Sequence, residues 1–222
     1  TDGGDYVNMN RTFPGKLDGD SAHQHAYLLW NNLWLNNVDY AIDLHSQSTD
    51  TIYPLFVFAD YRNPICQRMA ELIPADQIKN DEGEKGTLET TFIEHNIPAI
   101  TIELGAARIY QSDYIARSID GIHNILIEFG ITQGEFARTA HNYTSFVGNE
   151  MLSIRAKIGG YAEILVQLGD EVSAEQIVAR QLNPFGDIIC QYTTPVAGKV
   201  LSLGTGATRE AGGLLVRILF NK

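Results

Sequence analysis

Hydrophobic and polar positions divide the chain into two regions of different periodicity. Up to about residue 133, short apolar runs typical of buried strands alternate with segments whose apolar residues recur at helical spacing. Three of these runs, 38–45, 55–59 and 98–105, are predicted strands. Because strands that alternate with helices are typical of βαβ units, we predict an α/β domain with a mainly parallel, doubly wound sheet.

Capping residues and helix breakers mark the predicted helices between these strands. We expect one helix over 22–37, a second over 64–72 and a third over 86–95. A fourth is expected to be capped by Asp113 and to end at Gly130. The helices therefore separate the predicted strands, as a parallel sheet requires.

From Gly148 onward the pattern changes to short β runs separated by glycine-rich turns. This spacing is typical of a small all-β domain. We therefore predict an α/β domain over 1–133, a linker over 134–147 and a β domain over 148–222.

Three stretches of the predicted β domain, 168–172, 177–179 and 194–200, resemble the barrel-sandwich module of biotinyl and lipoyl carriers. Covalent carriers present a lysine at the tip of a hairpin. The corresponding stretch here, 180–187, contains no lysine. We therefore predict a barrel-sandwich-like fold without the carrier function.

Composition and charge restrict the partners of this 222-residue chain. Hydrophobic residues make up 44% and charged residues 19%, as in globular proteins, and no apolar run is long enough for a membrane helix. The net charge of −11 argues against nucleic acid and membrane partners, but it permits a small anionic substrate if a local arginine binds it. Cys66 and Cys190 are far apart and predicted to be free thiols, which favours a cytoplasmic location. The sequence leaves open whether the protein forms a homo-oligomer.

His45 and Glu103 are the first candidates for chemistry, because ligands bind beyond the carboxyl ends of strands in open parallel sheets. His45 is a candidate zinc ligand, and Asp43, two residues earlier on the same strand face, could orient its imidazole or a neighbouring group. Glu103 interrupts an apolar run, where a carboxylate is usually paired or functional. The alternatives are a structural histidine and an ion pair of Glu103 with Arg108.

Asn10 and Arg11 precede a segment that Pro14 stiffens and Gly15 turns. The planar guanidinium of arginine binds a carboxylate through two hydrogen bonds, which suits the anchoring of an anionic substrate. A solvated surface arginine is the alternative.

Three motifs together resemble the succinylglutamate desuccinylase/aspartoacylase family of the zinc carboxypeptidase superfamily: Asn-Arg-Thr-Phe-Pro-Gly at 10–15, Asp-Leu-His-Ser at 43–46 and Ile-Glu-Leu-Gly at 102–105. Their order and the β-rich C-terminal region extend the resemblance over nearly the whole chain. The resemblance implies that His45 is the last ligand of one catalytic Zn²⁺, that Glu103 is the catalytic acid/base, and that Asn10 and Arg11 bind the substrate carboxylate.

The activity that the resemblance implies is hydrolysis of the amide bond of an N-acyl amino acid by a metal-activated water. A metallocarboxypeptidase that acts on small peptides is one alternative. A non-catalytic binding or assembly protein, in which His45 holds no metal, is the other.

The zinc site implied by the resemblance is incomplete in this sequence. Family members carry the first two ligands in an H-x-x-E motif upstream of the Asn-Arg pair, and no histidine here is followed three places later by Glu. A catalytic zinc needs about three protein ligands. His23 and His25 lie two positions apart on a predicted helix, where side chains do not share a face. We expect the missing ligands to lie in an N-terminal segment absent from this chain, which alone would bind zinc poorly.

Overall fold

The computed structural model describes residues 6–222. Within these residues the α-helices are α1 (Ser21–Leu29), α2 (Pro64–Leu72), α3 (Leu88–Glu94) and α4 (Ser112–Glu128). The strands are β1 (Ala41–His45), β2 (Thr51–Ile52), β3 (Leu55–Ala59), β4 (Gln77–Asn80), β5 (Ala99–Leu104), β6 (Phe146–Gly148), β7 (Glu150–Arg155), β8 (Gly160–Ile164), β9 (Glu171–Val172), β10 (Ile177–Leu182), β11 (Ile188–Thr193), β12 (Gly198–Gly204), β13 (Thr208–Arg209) and β14 (Leu214–Phe220). The α/β class and the β-rich second half are therefore as predicted.

A five-stranded sheet has the strand order β1-β5-β3-β4-β6. The backbone N–H of Ala41 donates to Pro98 and that of Gln47 donates to Gly105, so β1 and β5 run in the same direction. Strands β4 and β6 are also parallel. The predicted strand ends at His45 and Glu103 therefore belong to neighbouring parallel strands.

The chain divides into two compact units. The first comprises Thr1–Asp43, Ala59–Met69 and Asp81–Thr101, and the second comprises Leu44–Phe58, Ala70–Asn80 and Ile102–Lys222. These units are defined by contacts in space, whereas the predicted domains 1–133 and 148–222 and the linker 134–147 were defined by sequence pattern. The predicted domain division stays a prediction. Within the predicted linker, the structure has a short 3-10 helix at Ala140–Tyr143 and the beginning of β6.

The helix predicted over 22–37 is shorter in the structure, where α1 ends at Leu29. Aromatic packing in the first unit explains the difference. Asp20 caps α1 by accepting a hydrogen bond from the His23 N–H at 2.9 Å, and α1 then passes into a π-helical turn over Trp30–Trp34. The centroids of the Trp30 and Trp34 rings lie 5.1 Å and 5.7 Å from that of Phe92. The wide turn thus directs both tryptophan side chains, which lie four residues apart, onto one ring of α3.

The beginning of α4 differs from the prediction that Asp113 caps it. The helix begins at Ser112, and Asp113 lies inside its first turn. The Asp113 carboxylate lies 3.4 Å from Nη1 of Arg117, one turn further along the same helix. An acidic residue in the first turn also interacts favourably with the helix dipole. Because aspartate is favoured both as a cap and in the first turn, the sequence alone does not distinguish the two positions.

The second unit contains two antiparallel sheets that enclose an apolar core. One has the order β11-β10-β8-β13 and the other β2-β12-β14-β7, with β9 paired to β12. Fully buried side chains from both sheets meet in this core, among them Val178, Val200 and Ile218. The hairpin between β10 and β11 turns over 183–187, where Phe185 is 90% exposed. The tip therefore lies within the stretch predicted for it.

Cys66 and Cys190 are both free thiols, as predicted. Burial raises the pKa of the Cys66 thiol to about 11, so this group stays protonated near neutral pH. Among the described residues, no helix has the length and hydrophobicity that crossing a bilayer requires.

Candidate active site

The structure brings His45 and Glu103 to neighbouring strand ends in the second unit. His45 is the last residue of β1, and Glu103 is the last but one of β5. Just beyond these two residues, the Gln47 N–H donates a hydrogen bond of 2.9 Å to the Gly105 carbonyl and so joins the two segments that follow the strands. Both side chains are half-buried, and the Oε2 atom of Glu103 is buried. The arrangement places an imidazole and a carboxylate at one edge of a parallel sheet, as the motif spacing predicted.

Three polar residues that the sequence did not single out lie in the same part of the second unit. Tyr53 is buried, with 4% of its surface exposed, and Arg217 on β14 donates a hydrogen bond to its hydroxyl. The Gln47 side chain also hydrogen-bonds this hydroxyl, and Glu103 is close enough to act on it electrostatically. A usable sequence signal existed for Arg217, which interrupts the apolar run 214–220 as Glu103 interrupts its own.

Asn10 and Arg11 lie in the first unit, against the beginning of α3. The side-chain oxygen of Asn10 accepts a hydrogen bond of 2.7 Å from the Leu88 N–H, so Asn10 helps to cap this helix. Gly86 has a φ of +88°, and a Cβ there would lie 2.4 Å from the Arg11 carbonyl oxygen. The segment can approach α3 this closely because residue 86 is glycine.

The Arg11 side chain is exposed and pairs with Glu84. Its Nη2 atom lies 3.1 Å from the Glu84 carboxylate, and 48% and 66% of the two side chains are exposed. Exposed ion pairs contribute about 0–1 kcal/mol, so a substrate carboxylate could replace Glu84 at little cost. The carboxylate-binding roles of Asn10 and Arg11 stay predictions.

A buried carboxyl group, that of Glu89, lies one residue after the Asn10 contact on α3. Only 8% of Glu89 is exposed, and its Oε2 accepts a hydrogen bond of 2.5 Å from the Thr101 hydroxyl. Burial raises the pKa of Glu89 to about 8, the Thr101 bond lowers it, and the negative charges of Asp81, Asp43 and Asp60 raise it further. Asp43, predicted to orient His45, therefore also acts electrostatically on Glu89.

The described residues do not form a complete metal site. Over 6–222 there is no group of three or more His, Cys, Asp or Glu side chains that could hold a metal ion. His23 and His25 lie on α1, and His23 is 2.8 Å from Asp20. The described residues therefore contain the predicted zinc ligand His45, but they form no cluster of three or more candidate ligands that includes it.

Three solved structures show the same fold at low sequence identity. The chain is similar to the ectoine utilization protein EutE from Ruegeria pomeroyi (22% identity, TM-score 0.84, covering 96% of this chain and 70% of that chain). It is also similar to a succinylglutamate desuccinylase from Silicibacter sp. TM1040 (23%, TM-score 0.82, 97% and 68%). A succinylglutamate desuccinylase/aspartoacylase from Rhodobacter sphaeroides matches as well (18%, TM-score 0.80, 98% and 69%). These likenesses confirm the predicted fold class.

Sequence comparison with family models identifies the family independently of the fold. The succinylglutamate desuccinylase/aspartoacylase catalytic domain matches residues 5–129, a range that contains all three motifs. A search of curated proteins finds no significant match. Because the family model covers more than half of the chain, the protein belongs to the succinylglutamate desuccinylase/aspartoacylase family of hydrolases.

Proposed function

We propose that the protein hydrolyses the amide bond of an N-acyl amino acid. The observation that supports this most is the position of His45 and Glu103 at the ends of the neighbouring parallel strands β1 and β5 in a member of this hydrolase family. Ligands of open parallel sheets bind at such strand ends. Among the carboxylates of the three family motifs, Glu103 lies near the end of β5, the strand next to the one that ends at His45.

In the proposed reaction, a water molecule attacks the amide carbonyl carbon and the carbon–nitrogen bond breaks. Glu103 accepts a proton from this water and transfers it to the leaving nitrogen, so the carboxylate is regenerated. The products are a carboxylic acid and an amino acid. The half-buried position of Glu103 near the end of β5 supports this role, because the side chain lies at the strand end where ligands of open parallel sheets bind.

Zinc is part of the proposal through His45 as one ligand. A zinc ion held there would act as a Lewis acid toward the substrate carbonyl. The described residues form no group of three or more His, Cys, Asp or Glu side chains that could hold this ion. Metal analysis tests the assignment: the zinc content of the protein is expected to fall in His45→Ala and to stay unchanged in His123→Ala, which alters a histidine on α4. Equal zinc contents in the two variants of a parent protein that binds zinc would exclude His45 as a ligand.

The substrate class follows from the charges around the amide. The chain has a net charge of −11, so an anionic substrate needs a local cation. We assign this role to Arg11, assisted by Asn10, because the Arg11 guanidinium is exposed and is held by a surface ion pair with Glu84 and a hydrogen bond to the Asn10 carbonyl. The bound group would be the carboxylate of the amino acid or of a dicarboxylic acyl group.

Replacing Arg11 by Gln is expected to raise KM for an N-acyl amino acid by about ten- to a hundred-fold with little change in kcat, since a charge-assisted hydrogen bond contributes about 1.5–3 kcal/mol. Glu84→Gln is the matched control, because it removes the other half of the same ion pair and leaves the cation. KM should stay equal or fall in this control. An increase of similar size in both variants would show that the ion pair matters for structure and not for binding.

A substrate panel tests the proposed function itself. Release of free amine from N-acetyl and N-succinyl amino acids is compared with release from dipeptides, using the protein supplied with zinc. We expect kcat/KM to be at least about tenfold higher for the acyl amino acids, a difference of about 1.4 kcal/mol in transition-state binding. Preferential cleavage of dipeptides would instead support a carboxypeptidase, and cleavage of neither class would support a non-catalytic protein.

A further inference from the structure

Strand β11 lies at the edge of a sheet in the second unit. It is the first strand in the order β11-β10-β8-β13, and over the described residues the backbone of 188–193 hydrogen-bonds no strand other than β10. Thr194, which follows β11, directs its N–H and its carbonyl toward 175–176, just before β10. Because these directions alternate along an antiparallel strand, the N–H and carbonyl groups of Thr193 and Gln191 face outward. The edge therefore presents backbone donors and acceptors that no other described strand uses.

The edge strand β11 lacks the charges and prolines that commonly protect such an edge from pairing. Its sequence is Ile-Ile-Cys-Gln-Tyr-Thr. Every other edge strand of the described sheets is at most three residues long or carries a charged side chain, as β1 carries Asp43 and β7 carries Glu150 and Arg155. The opposite edge of the same sheet, β13, has two residues, and one of them is Arg209. Among the described edges, β11 is therefore the one best suited to pair with a further strand.

Apolar side chains lie exposed along this edge. Ile188 and Ile189 on β11 are 49% and 41% exposed, and Phe185 projects from the tip of the hairpin between β10 and β11. The tip is ordered, because Oδ1 of Asn183 accepts hydrogen bonds of 2.9 Å and 3.0 Å from the N–H groups of Phe185 and Asp187. An ordered apolar surface loses little conformational entropy on association, so its burial contributes to the stability of a complex.

Charge indicates which strand fits this edge. The chain has a net charge of −11, so two copies repel each other unless they meet at an uncharged surface. When the same strand of two copies pairs across a twofold axis, a charge at its centre faces a like charge. Strand β11 has no charged residue, so self-pairing there avoids this repulsion. A foreign strand of either charge would find no opposite charge on β11 to recognise. The uncharged edge therefore favours a second copy of the chain.

We propose that the protein forms a homodimer in which β11 of one copy pairs antiparallel with β11 of the second copy, with Gln191 at the twofold axis. The exposed Gln191 then lies opposite Gln191 of the second copy, and the two four-stranded sheets become one continuous sheet. Ile189, the extra residue of β11 relative to β10, lies near the start of the strand, so Gln191 stays in regular register with Arg180. Assembly stops at the dimer, because the other edge of the sheet is the short β13. The inference is independent of the proposed function.

The first arm of the experiment measures self-association by analytical ultracentrifugation. A pairing of one strand per copy is a small interface, so we expect a dissociation constant of about 1–100 µM. Gln191→Lys and Gln191→Glu are each expected to raise it at least about tenfold, because like charges then meet at the axis. Thr208→Lys, which adds the same charge to the β13 edge, is the matched control and should leave it within about twofold. A parent protein that stays monomeric, or a dimer that both Gln191 variants leave intact, would overturn the inference.

The second arm mixes the two variants in equal amounts. Gln191→Lys and Gln191→Glu are expected to form a heterodimer with each other, since opposite charges now meet at the axis, although neither variant dimerises well alone. Dimerisation through a different surface would not depend on position 191 in this way. A mixture that associates no better than the separate variants would therefore overturn the pairing about Gln191.

The third arm locates the interface without any substitution, so it stays decisive even where a variant folds poorly. Backbone hydrogen exchange over 188–193 is compared between dilute and concentrated samples of the parent protein. Exchange should be slower in the concentrated sample, because the outward N–H groups of Gln191 and Thr193 gain acceptors in the second copy. Exchange over 208–209, at the opposite edge of the sheet, is the internal control and should not change. Unchanged exchange over 188–193 in a dimeric sample would overturn the inference.

Discussion

Replacing Glu103 by Gln is expected to lower kcat for an N-acyl amino acid by about 10²–10⁴-fold, the range contributed by general acid–base catalysis. The physical reason is that an amide has nearly the volume of the carboxylate but cannot accept and return a proton. Because Glu103 lies near the end of β5, the isosteric change should leave the strand and its pairing with β1 intact. The measurement is the steady-state rate of amine release at saturating substrate.

Two controls make this prediction decisive. Glu163→Gln applies the same chemical change to an exposed carboxylate on β8 and is expected to keep the parent turnover. The midpoint of thermal unfolding of Glu103→Gln should lie near that of the parent protein, so that a lost rate is not lost structure. Turnover close to the parent value in Glu103→Gln would contradict the assignment of Glu103 as the acid/base.

The second large effect concerns stability and originates at Glu89. Its carboxyl group is buried on α3 with Thr101 as hydrogen-bond donor, and its pKa is raised from 4.5 to about 8, first by burial and then by nearby aspartates. Between these two pH values the folded protein retains a proton that the unfolded chain has lost. The stabilisation from this group is therefore complete below about pH 4.5, declines as the pH rises, and is lost above about pH 8.

The difference between the folded and unfolded pKa values corresponds to about 3–5 kcal/mol over this pH range. Glu89→Gln replaces the neutral carboxyl group by a neutral amide of the same shape and removes the titration. We expect the free energy of unfolding, measured with urea at pH 6 and pH 9, to fall less with pH in Glu89→Gln than in the parent protein. The variant should therefore be the more stable of the two at pH 9.

A matched control lies on the same helix. Glu94 is exposed at the end of α3, and Glu94→Gln should leave the difference between the two pH values as in the parent protein. Comparing the free energy of unfolding of each variant with that of the parent at the same pH separates the effect of Glu89 from that of every other group that titrates in this range. Identical pH dependence in Glu89→Gln and the parent protein would contradict the prediction that Glu89 is protonated in the fold at neutral pH.

Several elements could be predicted from sequence because local pattern alone determines them. Helix α2 has the predicted bounds 64–72, since a proline begins it and an apolar face runs through it. Strands β1 and β5 were found from short apolar runs, and with them came His45 and Glu103. Two of the three family motifs lie at these strand ends, so the most informative part of the candidate site was local in sequence.

Other elements depended on contacts distant in sequence. Strand β4 reads Gln-Ile-Lys-Asn, a polar stretch that no hydrophobic pattern marks as a strand. It lies between β3 and β6 in the sheet, and its Gln77 side chain is fully buried and donates a hydrogen bond of 2.8 Å to the Val200 carbonyl, 123 residues away. Strand β6 begins in the predicted linker, and its partner β4 is likewise distant in sequence. No window of local sequence contains such pairings.

The sequence by itself determined the α/β class, the family and the two strand ends that present His45 and Glu103, because periodicity and short motifs are properties of adjacent residues. Only the tertiary structure decided which side chains surround them. Arg217 lies 164 residues after Tyr53, yet folding brings the two to hydrogen-bond distance in the unit that contains Glu103. The protonation of Glu89 was likewise decided by burial, since the same carboxyl group in an unfolded chain would be ionised at neutral pH.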